Sequence, residues 1–370
     1  MRVLNLLTGG KIGGIETLCF NWGKYAQFEN GFAFLTELGA IYYEMVAKNF
    51  ITYDLTGSKH KTSIKKLIKL VDIAKQYDII IVHHEDPILR MYYIALSKFT
   101  KCRFVNYVHS CYGDCSQMNY GFVKNRINRL ILQKAFDVSD IIISVSDAGK
   151  ASFGKIYHVS NDKCRVVYNG ISEELYDEGC KNIVPSTPPY RIVYIGRLEK
   201  IKGIDLLIEA IRHLKEKYEV TLDIIGAGKE AERLKGEATE YSLSDVIQFL
   251  GEQTDISRYL REANIFVYPS VCEEVFGISI VEALAFGVPC VANRVGGIPE
   301  IIIDGQNGTL TDEISATGIS TAIERLIIAY ESNEIDNYFF EAKRTAERFT
   351  IEKNCSRVYE ILSEVKEERE

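Results

Sequence analysis

Two carboxylates and two cations stand where their neighbours point most directly to chemistry. Glu282 lies inside the apolar run Ile280-Val-Glu-Ala-Leu-Ala-Phe286, and Glu274 lies eight positions earlier, before that run begins. A carboxylate among apolar neighbours is costly unless donors meet it. The stretch predicts a helix that begins near Phe276-Gly277 and stops at Gly287 and Pro289, a glycine-then-proline stop signal. The first amides of that helix, those of Gly277, Ile278 and Ser279, have no intrahelical acceptor; with the helix dipole they suit phosphate oxygens. Glu274 would lie beside that anion site. Glu282 would find its donors in a diol such as a ribose, whose two hydroxyls fit a bidentate carboxylate. The alternative for Glu282 is a helix glutamate that faces solvent.

The cations lie in Gly196-Arg-Leu-Glu-Lys-Ile-Lys-Gly203, between a predicted strand and the helix starting at Ile204. Arg197 offers a fork and Lys202 a point charge, a pair suited to a diphosphate; two solvated surface charges are the competing reading. Gly226-Ala227-Gly228-Lys-Glu-Ala231 fits a dinucleotide fingerprint after a strand, with Glu252 beyond the next strand. It supports a nicotinamide-dependent dehydrogenase as an alternative. Against it, the motif opens the second strand of its domain. Gly13-Gly14 is either an ordinary strand-to-helix turn or a place where backbone approaches a ligand. His109 follows the strand Phe104–Val108 at its carboxyl edge. His109, Cys111, Asp114 and Cys115 resemble half a zinc site, with no second pair to complete it.

These residues need elements to hold them. Apolar runs at Val3–Leu7, Ile79–Val82, Phe104–Val108 and Ile141–Val145 alternate with helical stretches. The pattern restarts at Ile192–Ile195 and continues through Leu222–Ile225, Ile247–Leu250, Ile265–Tyr268 and Pro289–Ala292. Such alternation implies buried parallel sheets. With 370 residues the chain exceeds the size of one core. The Pro-rich segment 183–190 is expected to link a domain 1–182 to a domain 191–349. Two doubly wound domains facing each other would bind ligands at the carboxyl ends of their strands.

Hydrophobic residues at 46% and a net charge of −7 describe a globular chain with no pull toward nucleic acid. No apolar stretch is long enough to span a membrane, and the first residues read as a strand and turn rather than a signal peptide. Nine scattered cysteines suggest reduced thiols and a cytoplasmic setting. Residues 1–180 hold 22 Lys/Arg against 18 Asp/Glu, and residues 181–370 hold 22 against 33, so only the first half is positive. Stretches 59–69 and 124–134 are basic amphipathic helices, either solvated faces or docking faces for an anionic membrane.

Residues 190–310 resemble the retaining, nucleotide-sugar-dependent glycosyltransferases of family four, with the GT-B fold of two Rossmann-like domains. The resemblance rests on Tyr194-Ile-Gly-Arg197, Lys202-Gly203, Ile225-Gly-Ala-Gly228, Phe249-Leu-Gly251 and Pro269-Ser270. It continues through the Glu274-x7-Glu282 run, Gly296-Gly-Ile-Pro-Glu300 and Asn307-Gly308. It is thinner before residue 180, in Gly13-Gly-Ile-Glu-Thr17, His109, Ser144-Val-Ser146 and Tyr168-Asn-Gly-Ile171.

The resemblance implies that Glu274 positions the donor sugar and Glu282 holds the ribose. Arg197 and Lys202 would neutralise the diphosphate, with no metal or other cofactor. Gly13, Gly14, Gly196, Gly226, Gly277, Ile278 and Ser279 would contact the donor, and His109 would lie near the transferred sugar. A last helix, about 350–370, would cross back to the first domain. The expected reaction moves a sugar from a nucleoside diphosphate to a saccharide or lipid-linked acceptor of a cell-surface glycan, on the inner face of the membrane. A sugar-nucleotide-binding protein without activity would carry the same fold.

Overall fold

The computed structural model describes residues 1–57, 62–112, 122–185 and 187–367. They form two compact units, Met1–Gly170 with Ile351–Glu370, and Ile171–Thr350.

The sheet of the first unit holds β1 (Arg2–Leu7), β2 (Glu29–Phe34), β3 (Ile51–Asp54), β4 (Ile79–Val82), β5 (Arg103–Val108), β6 (Ile141–Ser144) and β7 (Cys164–Val166). All neighbours are parallel, in the order β3-β2-β1-β4-β5-β6-β7. Strand β4, Ile-Ile-Ile-Val, is buried along its whole length, as a sheet covered on both faces requires. The order reverses between β1 and β4, and a crevice at the carboxyl ends there is the expected ligand position.

The second unit repeats the plan with β8 (Tyr190–Ile195), β9 (Val220–Ile225), β10 (Ile247–Gly251), β11 (Ile265–Tyr268), β12 (Cys290–Asn293) and β13 (Gly308–Thr311). These are again all parallel, in the order β10-β9-β8-β11-β12-β13. Its helix Ile204–Leu214 places Ile204, Leu207, Ile208, Ile211 and Leu214 on one face. That face is buried with Leu222, Ile224, Ile323 and Ile327, so helical period and core coincide.

The boundary between units differs from the expected linker. The break falls after Gly170, and residues 171–190 belong to the second unit. Ile171 pairs with Thr350, and its amide donates to Phe349 O (2.9 Å). Asn182 Nδ2 donates to Phe286 O (3.0 Å) and Lys343 Nζ to Asn182 O (2.6 Å). The proline cluster marks where regular structure stops, whereas the helix Glu173–Cys180 before it is already part of the second unit's packing.

The helix Ile351–Glu367 packs in the first unit. Its Asn354 accepts from Trp22 Nε1 (2.8 Å) and donates to Tyr168 O (2.7 Å), deep in that unit. Replacing it with Ala strands an indole N–H and a carbonyl, so Asn354→Ala should destabilise the first unit by about 2–4 kcal/mol. Urea unfolding of the variant against wild type checks this.

Two expectations change. Lys66, counted among the surface cations of 59–69, is buried and donates to Leu35 O (2.7 Å); burial lowers its pKa. Among the described residues seven cysteines are free thiols, but Cys272 is disulfide-bonded. Among the described residues no helix is long and apolar enough to cross a membrane.

Candidate active site

On the second unit, three loops meet at the carboxyl ends of β8, β11 and β12. Lys202 ends a short 3-10 turn, and its chain reverses through Gly203. Its ammonium does not face solvent. It donates to Glu274 Oε1 (2.5 Å) and to Tyr268 OH (3.0 Å). Ser270 Oγ donates to the same Glu274 oxygen (2.6 Å). Lys202 and Glu274 therefore form one buried, charge-assisted cluster rather than two separate contact points.

The backbone of that loop is held as firmly as its side chains. Gly297 N donates to Glu274 O (2.7 Å), and Asn293 Nδ2 donates to Pro269 O (2.8 Å) and Ser270 O (3.1 Å). Thr311 in turn orients Asn293, its hydroxyl donating to Asn293 Oδ1 (2.8 Å). At Gly296, φ is +52° and a Cβ would lie 2.2 Å from Glu274 O, so a larger residue would push the Glu274 loop away.

Helix Ile278–Ala285 follows, with Gly277 as its N-cap at φ +94°. The amides of Gly277, Ile278 and Ser279 make no hydrogen bond among the described residues. Glu282 is half-buried between Val281, Ala283 and Leu284. No hydrogen bond meets its carboxyl among the described residues, and burial pushes it up to about 7. The solvated-glutamate reading does not describe that environment.

Arg197 makes no hydrogen bond to this cluster among the described residues. Its guanidinium is exposed and pairs with Glu199 (3.1 Å), while its carbonyl accepts from Tyr194 OH (2.9 Å). The Gly-Ala-Gly stretch also has a structural use. Gly226 has φ +131°, and a Cβ there would lie 1.9 Å from Gly196 O. Leu198 N donates to Ala227 O (2.9 Å). The two glycines let neighbouring loops touch, which accounts for them without a dinucleotide.

On the first unit, Gly13 caps the helix Gly14–Tyr25 in an extended conformation. Glu16 reaches back over Gly13 and accepts from His84 Nε2 (3.1 Å), while Thr8 N donates to His84 Nδ1 (3.3 Å). A Cβ on Gly14 would meet nothing within 4 Å, so packing within the protein does not call for that glycine. His109 stands just past β5, stacked on Tyr107 with ring centroids 4.5 Å apart. Its Nε2 lies 3.2 Å from His83 Nδ1. Burial, with His84 and Arg90 nearby, pushes His109 down to about 3, so it is neutral near pH 7.

Tyr268, His83 and His84 were not singled out from sequence, and Ser270 was noted only within the Pro269-Ser270 motif. One signal could have found the histidines: His83-His84 directly follows β4, on the same sheet edge as His109. The buried Arg90 was missed as well. Its guanidinium makes no hydrogen bond among the described residues and lies near Glu85, whose carboxyl is raised by burial. Among the described residues no three His, Cys, Asp or Glu side chains converge on a metal position. Asp114 and Cys115 lie outside the described residues.

Two family models match the chain. "Glycosyltransferase Family 4" covers residues 15–175 and "Glycosyl transferases group 1" covers residues 181–341. The chain belongs to the family-four glycosyltransferases. An uncharacterised glycosyltransferase, MJ1178, of Methanocaldococcus jannaschii is 31% identical over 65% of this chain and 66% of its own length. The amylovoran biosynthesis glycosyltransferase AmsK of Erwinia amylovora is 33% identical over 45% of this chain and 42% of its own. A crystal structure of Anabaena Alr3699/HepE with UDP and glucose superimposes with a TM-score of 0.82, at 22% identity, over 98% of this chain and 99% of that one. The structural likeness establishes the GT-B fold. In this glycosyltransferase the Lys202–Glu274 cluster and the Glu282 helix lie on the unit matched by the group 1 model, and His109 on the unit matched by the family-four model.

Proposed function

We propose that this glycosyltransferase moves a sugar from a nucleoside diphosphate, with uridine the first base to test, to a saccharide or lipid-linked acceptor of a cell-surface polysaccharide. The anomeric configuration is kept. The observation that carries this reading is the arrangement around helix Ile278–Ala285: unbonded first-turn amides, Lys202 with Glu274 at one end, and the half-buried Glu282 on the helix. The amides, Lys202 and Arg197 take the diphosphate. Glu282 takes the ribose diol, and Glu274 the sugar hydroxyls. On the first unit, Gly13, Gly14 and His109 are the residues we propose for donor contact. HepE was crystallised with UDP and glucose, and AmsK is named for a polysaccharide pathway; both agree with this reading.

In the reaction, the bond from the anomeric carbon to the diphosphate breaks and a bond to the acceptor oxygen forms. The acceptor proton passes to the leaving diphosphate, so no protein base is needed. Charge grows on that diphosphate, and preorganised cations stabilise it most in the transition state. Thermal stabilisation by UDP-, GDP- and ADP-sugars tests the donor, since a bound ligand raises the midpoint by mass action. Release of nucleoside diphosphate that depends on acceptor tests transfer. A donor that binds without ever turning over would indicate a binding protein. Activity is expected to survive EDTA. Loss with EDTA and recovery with a divalent cation would sink the metal-free mechanism.

The membrane reading has its own observation. Helix Phe122–Val138 exposes Ile127 and Leu130 beside Lys124, Arg126 and Arg129, and helix Ile64–Ala74 exposes Ile64 and Ile68 beside Lys65. Apolar side chains among cations suit an anionic lipid surface. Each exposed cation adds about 1 kcal/mol there. Co-sedimentation with anionic vesicles should fall when Lys65, Lys124 and Arg126 become Gln, and should fade with salt. Lys61 lies outside the described residues, and Lys66 is excluded from the set because it is buried. If wild type ignores anionic vesicles at low salt, these are solvated faces.

A further inference from the structure

His109 ends a chain of hydrogen bonds that determines which of its nitrogens carries the proton. The chain starts at Asn30, whose Nδ2 donates to Trp22 O (3.2 Å) and Phe28 O (3.3 Å). Its Oδ1 accepts from Asn5 Nδ2 (2.9 Å), and Asn5 Nδ2 also donates to Gly31 O (3.3 Å). The reverse amide orientation would set Asn5 Oδ1 against the Gly31 carbonyl, which only accepts. Asn5 Oδ1 is therefore the atom that faces His83 Nε2 (3.0 Å), and His83 must donate.

A neutral imidazole has one N–H and one lone pair. His83 is fully buried, and that burial, with His109, His84 and Arg90 nearby, lowers its pKa well below the ordinary imidazole value. With its proton on Nε2, its Nδ1 is an acceptor. The contact from His83 Nδ1 to His109 Nε2 is then donated by His109. His109 therefore holds its proton on Nε2 and a lone pair on Nδ1, and Nδ1 makes no hydrogen bond among the described residues. Stacking on Tyr107, with planes 6° apart, fixes the ring.

We propose that Asn5 and His83 are positioning residues that hold His109 in the Nε2–H tautomer and so leave Nδ1 as the ring's free acceptor. The effect on turnover rests on the proposed transfer reaction; the tautomer does not.

The first test is nitrogen NMR of the imidazole side chains in the full-length protein at pH 7. The expected result is Nε2-protonated, neutral rings at both His83 and His109. An Nδ1–H tautomer or an imidazolium at His109 would overturn the proposal. The second test compares two substitutions. In His83→Gln the amide can still donate to Asn5 and accept from His109, so kcat should stay within about threefold of wild type. His83→Phe keeps the ring but neither bond, and should lower kcat about tenfold or more, with the donor KM within about twofold. Its His109 should also lose the single tautomer. If His83→Phe retains both kcat and the Nε2–H signal, the relay has no role. If neither variant folds, the wild-type spectrum decides. Wild type with the expected tautomer but no transferase activity would refute the proposed function and leave the relay standing.

Discussion

Lys202→Ala is expected to lower kcat/KM by about two to three orders of magnitude, the usual cost of removing one preorganised donor from a developing anion. Glu274→Gln should lower kcat by a similar factor, but the two variants should part in binding. Lys202 is shared between Glu274 Oε1 at 2.5 Å and Tyr268 OH at 3.0 Å. Removing the lysine deletes a cation from the proposed diphosphate site and leaves the Glu274 carboxylate without a counter-charge. Nucleoside diphosphate affinity should then fall. Removing the carboxylate charge instead releases the ammonium from its strongest partner, so nucleoside diphosphate affinity should hold or rise while turnover falls. From sequence alone the two residues look like separate contacts, one to phosphate and one to sugar; their pairing is what couples the two effects. Calorimetric titration with UDP beside steady-state kinetics resolves them. Equal losses of UDP affinity in both variants would mean that Glu274 does not act on the sugar alone.

Glu282→Gln should stabilise the free protein and weaken its hold on nucleotide. The carboxyl sits at about 7 in the folded protein, above its ordinary value of 4.5, because burial disfavours the charge. Ionising it therefore opposes folding. The penalty is absent below about pH 4.5, grows between 4.5 and 7, and is complete above 7. The whole shift would correspond to about 3 kcal/mol. Solvent still reaches part of the residue, so about 1–2 kcal/mol is expected, roughly 2–6 °C in the melting midpoint at pH 8. The gain should vanish near pH 4.5.

Binding has the opposite dependence. In the proposed reading a ribose diol donates to the carboxylate, so ligand selects the ionised form. Wild-type affinity should weaken by up to about tenfold per pH unit below 7 through this group. The nucleotide's own phosphates also titrate, and comparison with Glu282→Gln isolates the protein's share. At pH 8 the variant should bind about ten- to a hundredfold more weakly, the worth of a charged hydrogen bond. A variant that melts at the wild-type temperature and binds UDP normally at pH 8 would remove Glu282 from the ribose site.

Much of this protein was legible from residue order. The apolar strands β4, β8, β9 and β11 and the helix Ile204–Leu214 follow from hydrophobic period alone, because a buried parallel strand or one helix face must be apolar. Glu274, Glu282, Lys202 and His109 could be chosen because their type and spacing conflict with those apolar patterns or sit just past a strand end. Strands β2, β3, β7 and β13 were not predicted. They are short or interrupted by Gly, Asn, Thr or Arg, as in Glu-Asn-Gly-Phe-Ala-Phe of β2, and only pairing with a neighbouring strand makes them strands.

What tertiary structure alone decided is which polar groups meet. Lys202 and Glu274 are 72 residues apart; Asn5 lies within β1, while His83 and His109 follow the ends of β4 and β5. Parallel crossovers bring such ends to one sheet edge, and no local period records that. The same holds for Lys66, which reads as a surface cation but is drawn inward by the Leu35 carbonyl. It holds too for residues 171–182, which precede the proline break yet pack with the unit that follows. Periodicity reports how much of a segment is buried, while hydrogen-bond partners depend on chain reversals that bring distant residues within about 3 Å.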